Sequence, residues 1–191
     1  WSVLRAEALR TRPTNPRTIL AVARIRRGRI LDNTGTVLAG TEIDAAGYIT
    51  RTYPVPEAAP VVGYATLQYG TAGIEATCDT RLRGDLDQSP EAAFWDAILH
   101  QPPVGEDVQL TIDAEMQKTA QTLLQGHEGA AILVDAHTGE ILALTSAPTY
   151  DPAKVAEKWA TLREAPGAPL LNRATQGLAQ PGPILETVLL G

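Results

Sequence analysis

Apolar and polar positions alternate in short runs through the first half of the chain and settle into longer, better punctuated elements in the second. Arg29-Ile30-Leu31 and Thr36-Val37-Leu38 are short apolar strands on either side of Asp32-Asn33-Thr34-Gly35, the pattern of a hairpin with a turn at its tip. Upstream, Pro13 and Pro16 around Asn15 break any long helix and predict an extended arm over 1–19. Between Tyr48 and Gly73 the periodicity is interrupted by Pro54, Pro56, Pro60, Gly63, Gly70 and Gly73, which predicts loops and short strands. A helix is predicted next. Ser89 is its N-cap, Pro90 sits at N1, Phe94/Ile98 and Trp95/Leu99 form i,i+4 apolar pairs, and Pro102-Pro103 stops it.

From Asp107 the pattern changes. Val108 to Ile112 alternates as a strand, and Asp113 is placed to cap a helix whose apolar stripe would be Met116, Ala120, Leu123 and Leu124, closed by Gly126. A second hairpin is predicted from Ala130–Val134, the turn Asp135–Gly139 and Ile141–Leu144. Its strands are apolar on both faces, so a covered sheet is expected. A boundary near 102–107 divides the chain into 1–106 and 107–191. The fold class is α+β: an elongated β-rich first domain followed by a partial α/β unit.

Composition narrows the function classes. A hydrophobic fraction of 44% with 20% charged residues fits a folded globular chain, and 5% aromatics leaves the core to Ala, Val, Ile and Leu. The net charge of −6 hides an asymmetry: residues 1–30 carry eight Arg and one acid, so the acidic excess lies entirely in the remainder. Those Arg are dispersed, lack interleaved aromatics and adjoin an acidic body, which argues against nucleic-acid binding. Cys78 is alone and reads as a buried structural thiol. No apolar run is long enough to span a bilayer, and no signal-peptide core is present. His127, His137 and Asp135 match no common metal-site spacing, so neither metal nor cofactor is expected. His100 reads as a C-terminal cap interaction and Trp159, near Leu162, as a core anchor. Ser146 has no Lys three residues on and is a poor nucleophile.

Three ordered segments resemble the non-catalytic pedestal of class B penicillin-binding proteins. The first, Arg27-Gly28-Arg29-Ile30-Leu31-Asp32 through Gly35 to Leu38-Ala39, is similar to that family's RG-x-I-x-D-x-x-G-x-x-LA pattern. The second is Arg51-Thr52-Tyr53-Pro54 continuing to Val62-Gly63-Tyr64. The third is Gly70-Thr71-Ala72-Gly73-Ile74-Glu75, with Asp79, Leu82 and Gly84 following. The glycines would supply positive-φ turns or close backbone approach. Arg27, Arg51, Asp32 and Glu75 are candidates for a buried ion network. Such a network either orients a catalytic domain or only holds the pedestal together.

The second half resembles the opening of the same family's transpeptidase domain. The matching segments are Leu110–Asp113 with Gln117, Gly129-Ala130, Val134-Asp135, Thr138–Ala143, Pro148–Pro152, Asn172-Arg173-Ala174 and Pro181-Gly182. The family's S-x-x-K would then fall on Pro183 and Glu186, which offer neither a hydroxyl nor a base. Loss of a serine nucleophile alone costs on the order of 10⁶ in rate. No catalytic residue carries over, and the chain stops at Gly191 before any S-x-N or K-T-G. The resemblance implies one of two functions. One is a catalytically inactive scaffold or dimerisation module in peptidoglycan synthesis. The other is the N-terminal part of an active, penicillin-binding D,D-transpeptidase. It also implies an extracytoplasmic location near a membrane, through an anchor upstream of Trp1, and self-association or pairing with another cell-wall synthesis protein.

Overall fold

The computed structural model describes residues 26–43, 49–84 and 104–178. The predicted arm over 1–19 and the helix following Ser89 lie outside them. A four-stranded sheet of order β3-β2-β1-β6 organises the first unit, from β1 (Ile30–Leu31), β2 (Val37–Ile43), β3 (Ile49–Thr52) and β6 (Val108–Gln109). β1 and β2 form the expected antiparallel hairpin, with Ile30 opposite Ala39. β6 pairs parallel to β1, with Ile30 opposite Val108. The alternating stretch from 108 therefore keeps ladder pairing for two residues only, inside the first unit's sheet.

The Pro/Gly-rich stretch contains more helix than its composition suggested. A 3₁₀ turn (Pro56–Ala58) runs into α1 (Ala59–Val62), because Pro at the first positions of each turn needs no backbone donor there. The short hairpin β4 (Ala65–Thr66) and β5 (Gly70–Thr71) follows, then α2 (Ile74–Thr77) and α3 (Asp79–Arg83). Ile30, Leu38, Ala39, Ala58, Val62 and Leu82 form the core, and Ala114 from the second unit is packed into the same cluster. Cys78 is half-buried beside that core.

The second unit consists of α4 (Ala114–Leu123), β7 (Gly129–Val134), β8 (Ile141–Ala147), a 3₁₀ turn at Pro152–Lys154, α5 (Val155–Glu164) and α6 (Arg173–Gln176). Asp113 caps α4 as expected, its carboxylate accepting from Met116 N at 2.9 Å. The expected apolar stripe is not the buried face. Met116 is 43% and Leu123 76% exposed, whereas Ala114, Gln117 and Gln121, spaced i, i+3, i+7, face inward. The reason is hydrogen bonding. Gln117 Oε1 accepts from Leu144 N at 2.8 Å and Gln117 Nε2 donates to Leu144 O at 2.9 Å, while Gln121 Nε2 donates to Ser146 O. Two amides satisfy the outer edge of β8, groups that apolar side chains would leave unpaired in a dry interface.

The covered-sheet expectation holds for one strand of the pair. β8 is buried from Ala143 to Ala147, but Ile132, Leu133 and Val134 on β7 remain about half exposed. β7 pairs only with β8 among the described residues.

Candidate functional site at the junction of the two units

Glu75 is the centre of the first unit. It sits on α2 just after Gly73, whose φ of +62° starts that helix, and it is fully buried. Its two carboxylate oxygens each take an arginine. Arg27 Nη2 donates to Oε2 at 2.8 Å, and Arg51 Nε donates to Oε1 at 2.6 Å. Arg27 also donates to Asp79 Oδ1 at 2.7 Å and to the Glu75 carbonyl at 3.1 Å; Arg51 Nη1 reaches the Gly28 carbonyl at 2.7 Å. Asp79 is further paired with Arg83 at 2.8 Å. The cluster thus binds β3, the segment leading into β1, α2 and α3 into one block. Burial alone would discourage ionisation here. The opposite charges and aimed donors make the ionised cluster tenable.

Asp32 does not join this network, contrary to the expectation that grouped it with Arg27, Arg51 and Glu75. Its Oδ1 accepts from Thr34 N and Oγ1, both at 2.8 Å, and from Thr36 N at 2.7 Å, closing the turn, while Oδ2 accepts from Ala114 N at 3.3 Å. A short acid after a strand is well placed for an Asx turn, and among the described residues no arginine reaches it. Burial pushes its carboxyl up, but the donors from Thr34, Thr36 and Ala114 outweigh this and hold it below the ordinary carboxylate range.

The glycines divide by role. Gly35, at φ +92°, and Gly70, at φ +78°, are turn positions with open space around them. Gly28, Gly63, Gly73 and Gly84 are close approaches: a Cβ on Gly28 would lie 1.8 Å from the Glu106 carbonyl oxygen, and one on Gly63 would lie 1.9 Å from that of Ala72. Tyr53 accepts from Ala65 N at 2.8 Å, fixing the start of the β4–β5 hairpin, and exposed Pro54 borders the cleft beside Asp32. Burial, reinforced by the Glu75 anion, raises the Tyr53 phenol.

The second unit grips the 3₁₀–α1 segment of the first. Gln117 Nε2 donates to the Glu57 carbonyl at 3.0 Å, and Asn172 Nδ2 donates to the Pro60 carbonyl at 2.6 Å. Buried Tyr64 meets Tyr150 and Trp159 edge-on at 6.1 and 6.0 Å, and Tyr69 stacks on Trp159 at 4.4 Å. Trp159 is therefore a half-buried clamp between the units rather than a deep core anchor. Burial, with Tyr64 and Tyr53 nearby, raises the Tyr150 phenol. Ser146 is structural: its hydroxyl donates to Leu171 O at 3.2 Å and accepts from Arg173 N at 3.0 Å. A cavity of about 100 Å³ lies at this junction, lined by Gly63, Gly73, Ser146, Tyr150 and Asn172 among others. Pro183 and Glu186 lie outside the described residues.

The roles of Gln117, Gln121, Asn172 and Tyr69 in packing were missed from sequence. Gln117 and Asn172 stood in the segments that resemble the transpeptidase domain, and the two glutamines are spaced i, i+4 on a helix with a weak apolar stripe, but neither signal revealed these contacts.

A β-rich pedestal held by a buried ion cluster is joined through a polar clasp to the helix and hairpin of a second, α/β unit. Residues 27–108 match the dimerisation domain of penicillin binding protein A, and residues 129–185 match the penicillin binding protein transpeptidase domain. The chain belongs to the class B penicillin-binding proteins, as pedestal plus the start of the transpeptidase domain. It is 32% identical to the peptidoglycan D,D-transpeptidase PbpA of Mycolicibacterium smegmatis over 97% of its own length and 41% of that protein's. It is 31% identical to MrdA of Escherichia coli, also a peptidoglycan D,D-transpeptidase, over 73% of this chain and 27% of MrdA. The imipenem acyl-enzyme structure of penicillin-binding protein A from M. tuberculosis superposes with a TM-score of 0.69 at 31% identity, covering 80% of this chain and 38% of that one. Pseudomonas aeruginosa PBP2 superposes at 0.68 with 28% identity, over 86% and 38%. The chain spans about two fifths of the length of the first of these relatives.

Proposed function

We propose that this chain acts in peptidoglycan synthesis as a scaffold and self-association module of the penicillin-binding-protein family, without acyl-transfer chemistry. The observation that carries this reading is Pro183 and Glu186 at the positions of S-x-x-K, in a chain that keeps the Glu75 block and the junction clasp intact. The match to the transpeptidase domain runs to residue 185, so position 183 falls within it. Proline supplies no attacking oxygen. A glutamate one turn on would raise, not lower, the pKa of any neighbouring hydroxyl. Proline at a first helical position and an acid in the first turn are both compatible with a helix there, so the chemistry can be lost without the frame.

The match to a dimerisation domain supports self-association. The half-exposed, uncharged strand β7 offers an additional surface for another chain. Peptidoglycan assembly places the module on the outer face of the cytoplasmic membrane. Among the described residues no helix is long and apolar enough to cross a membrane.

A second reading is favoured by the relatives, which are named as peptidoglycan D,D-transpeptidases and include a β-lactam acyl-enzyme: the chain is part of an active transpeptidase. Labelling with a fluorescent penicillin, beside a serine-containing relative, separates the two. No covalent label is expected on this chain; a label would favour the second reading. Light scattering over a wide concentration range tests association, and a strictly monomeric profile would count against it.

A further inference from the structure

We infer that Asn172 transmits the state of the pedestal's buried ion cluster to the segment leading into positions 183–186. The side-chain amide of Asn172 does two things at once. Its Oδ1 accepts from Ala174 N at 3.0 Å and so caps α6, while its Nδ2 donates to the Pro60 carbonyl on α1 at 2.6 Å. The start of α6 is thereby fixed to the pedestal by the same group that nucleates it. Arg173 N, bonded to Ser146 Oγ, ties the next residue to β8.

On the pedestal side there is no slack between α1 and the ion cluster. Gly63, which ends α1, lies so close to Ala72 and Gly73 that a Cβ on Gly63 would meet the Ala72 carbonyl oxygen at 1.9 Å, and one on Gly73 would meet Gly63 N at 2.8 Å. Gly73 is also the N-cap of α2, the helix that carries Glu75. Ala72 N donates to the Tyr64 carbonyl at 3.0 Å across the same contact. A displacement of α2 that follows a change at Arg27, Arg51 or Glu75 must push α1, and α1 holds Asn172. Close-packed backbone transmits such shifts instead of absorbing them. The inference concerns the approach to 183 and holds whether or not an acyl-enzyme forms.

The experiment is a two-by-two comparison on the full chain, read by hydrogen–deuterium exchange of the α6 amides Gln176 and Gly177, which donate to the Asn172 and Arg173 carbonyls. Asn172→Asp keeps the Oδ1 cap and loses the donor to Pro60. Asp79→Asn weakens the ion cluster from a half-exposed edge and leaves Glu75 in place. Asp79→Asn alone is expected to speed α6 exchange several-fold. Asn172→Asp alone is expected to speed it roughly fivefold, the effect of one lost hydrogen bond. In the Asn172→Asp background Asp79→Asn is expected to add nothing further. If α6 exchange is unchanged by Asn172→Asp, or the two effects simply add, Asn172 is not the coupling. Asn172→Ala, which removes the cap as well, should exceed Asn172→Asp; an effect of Asn172→Ala with none from Asn172→Asp would assign it to capping alone and overturn the inference.

Discussion

Replacing Glu75 with Gln puts the heaviest single load on the pedestal. The carboxylate is fully buried, and the two guanidinium groups that need it are 13% and 8% exposed. Removing the negative charge leaves the fork of Arg51 and the inner face of Arg27 without their anion in a site where water cannot replace it; Arg27 keeps Asp79 and the Glu75 carbonyl as partners. Breaking one partner of a buried pair in this way costs about 3–5 kcal/mol. That is a large part of the ~5–15 kcal/mol that holds a domain together. At a urea m-value of about 2 kcal/mol/M, the midpoint should fall by about 2 M. The internal control is Glu106→Gln, which disrupts the Arg81–Glu106 pair at 3.0 Å between side chains 56% and 46% exposed. That pair should be worth about 0–1 kcal/mol. Urea titrations followed by tryptophan fluorescence read both. Equal effects of the two substitutions, or a Glu75→Gln cost below about 1 kcal/mol, would refute the view that a buried cluster organises the pedestal.

Gly63→Ala should lower thermal stability far more than Gly35→Ala, because both have positive φ but only Gly63 meets backbone at 1.9 Å; differential scanning calorimetry checks it, with Gly35→Ala costing about 1–2 kcal/mol. Gln117→Leu should cost about 2–4 kcal/mol by stranding both backbone groups of Leu144, whereas Leu123→Ala on the exposed side should cost under about 0.5 kcal/mol; chemical denaturation distinguishes them, and the reverse order would restore the apolar stripe as the buried face. Asp32 titrates below its ordinary value in the folded chain, so it contributes stability that is fully present above the usual carboxylate range and is lost as pH falls through its lowered folded value. Urea midpoints measured at successively lower pH should therefore drop less steeply below about pH 4 in Asp32→Asn than in the parent; parallel curves would exclude Asp32 as a contributor.

Local chemistry made much of this architecture legible. The Asp32–Gly35 turn, the Asp113 cap and both hairpins follow from short-range preferences that the tertiary structure respects. The inward face of α4 did not, because hydrophobic periodicity assumes that apolar residues choose the buried side. Here the edge of β8 needed hydrogen-bond partners more than it needed apolar contacts, and Gln117 and Gln121 outcompeted Met116 and Leu123. Asp32 was misplaced for a related reason: sequence reveals that a carboxylate belongs to a motif, not whether arginine or backbone amides will be its partners. The junction pairs Asn172–Pro60 and Tyr69–Trp159 span 112 and 90 positions, and nothing in local pattern announces contacts over such separations.

The measurement that bears most directly on function is the intact mass of the purified chain after prolonged incubation with excess β-lactam. Under the proposed reading, in which Pro183 and Glu186 stand at the positions of a nucleophile and its base, the mass should be unchanged. A gain equal to one opened β-lactam, mapped by peptide analysis to any side chain near the junction, would contradict the scaffold assignment and show that this frame still performs acyl transfer.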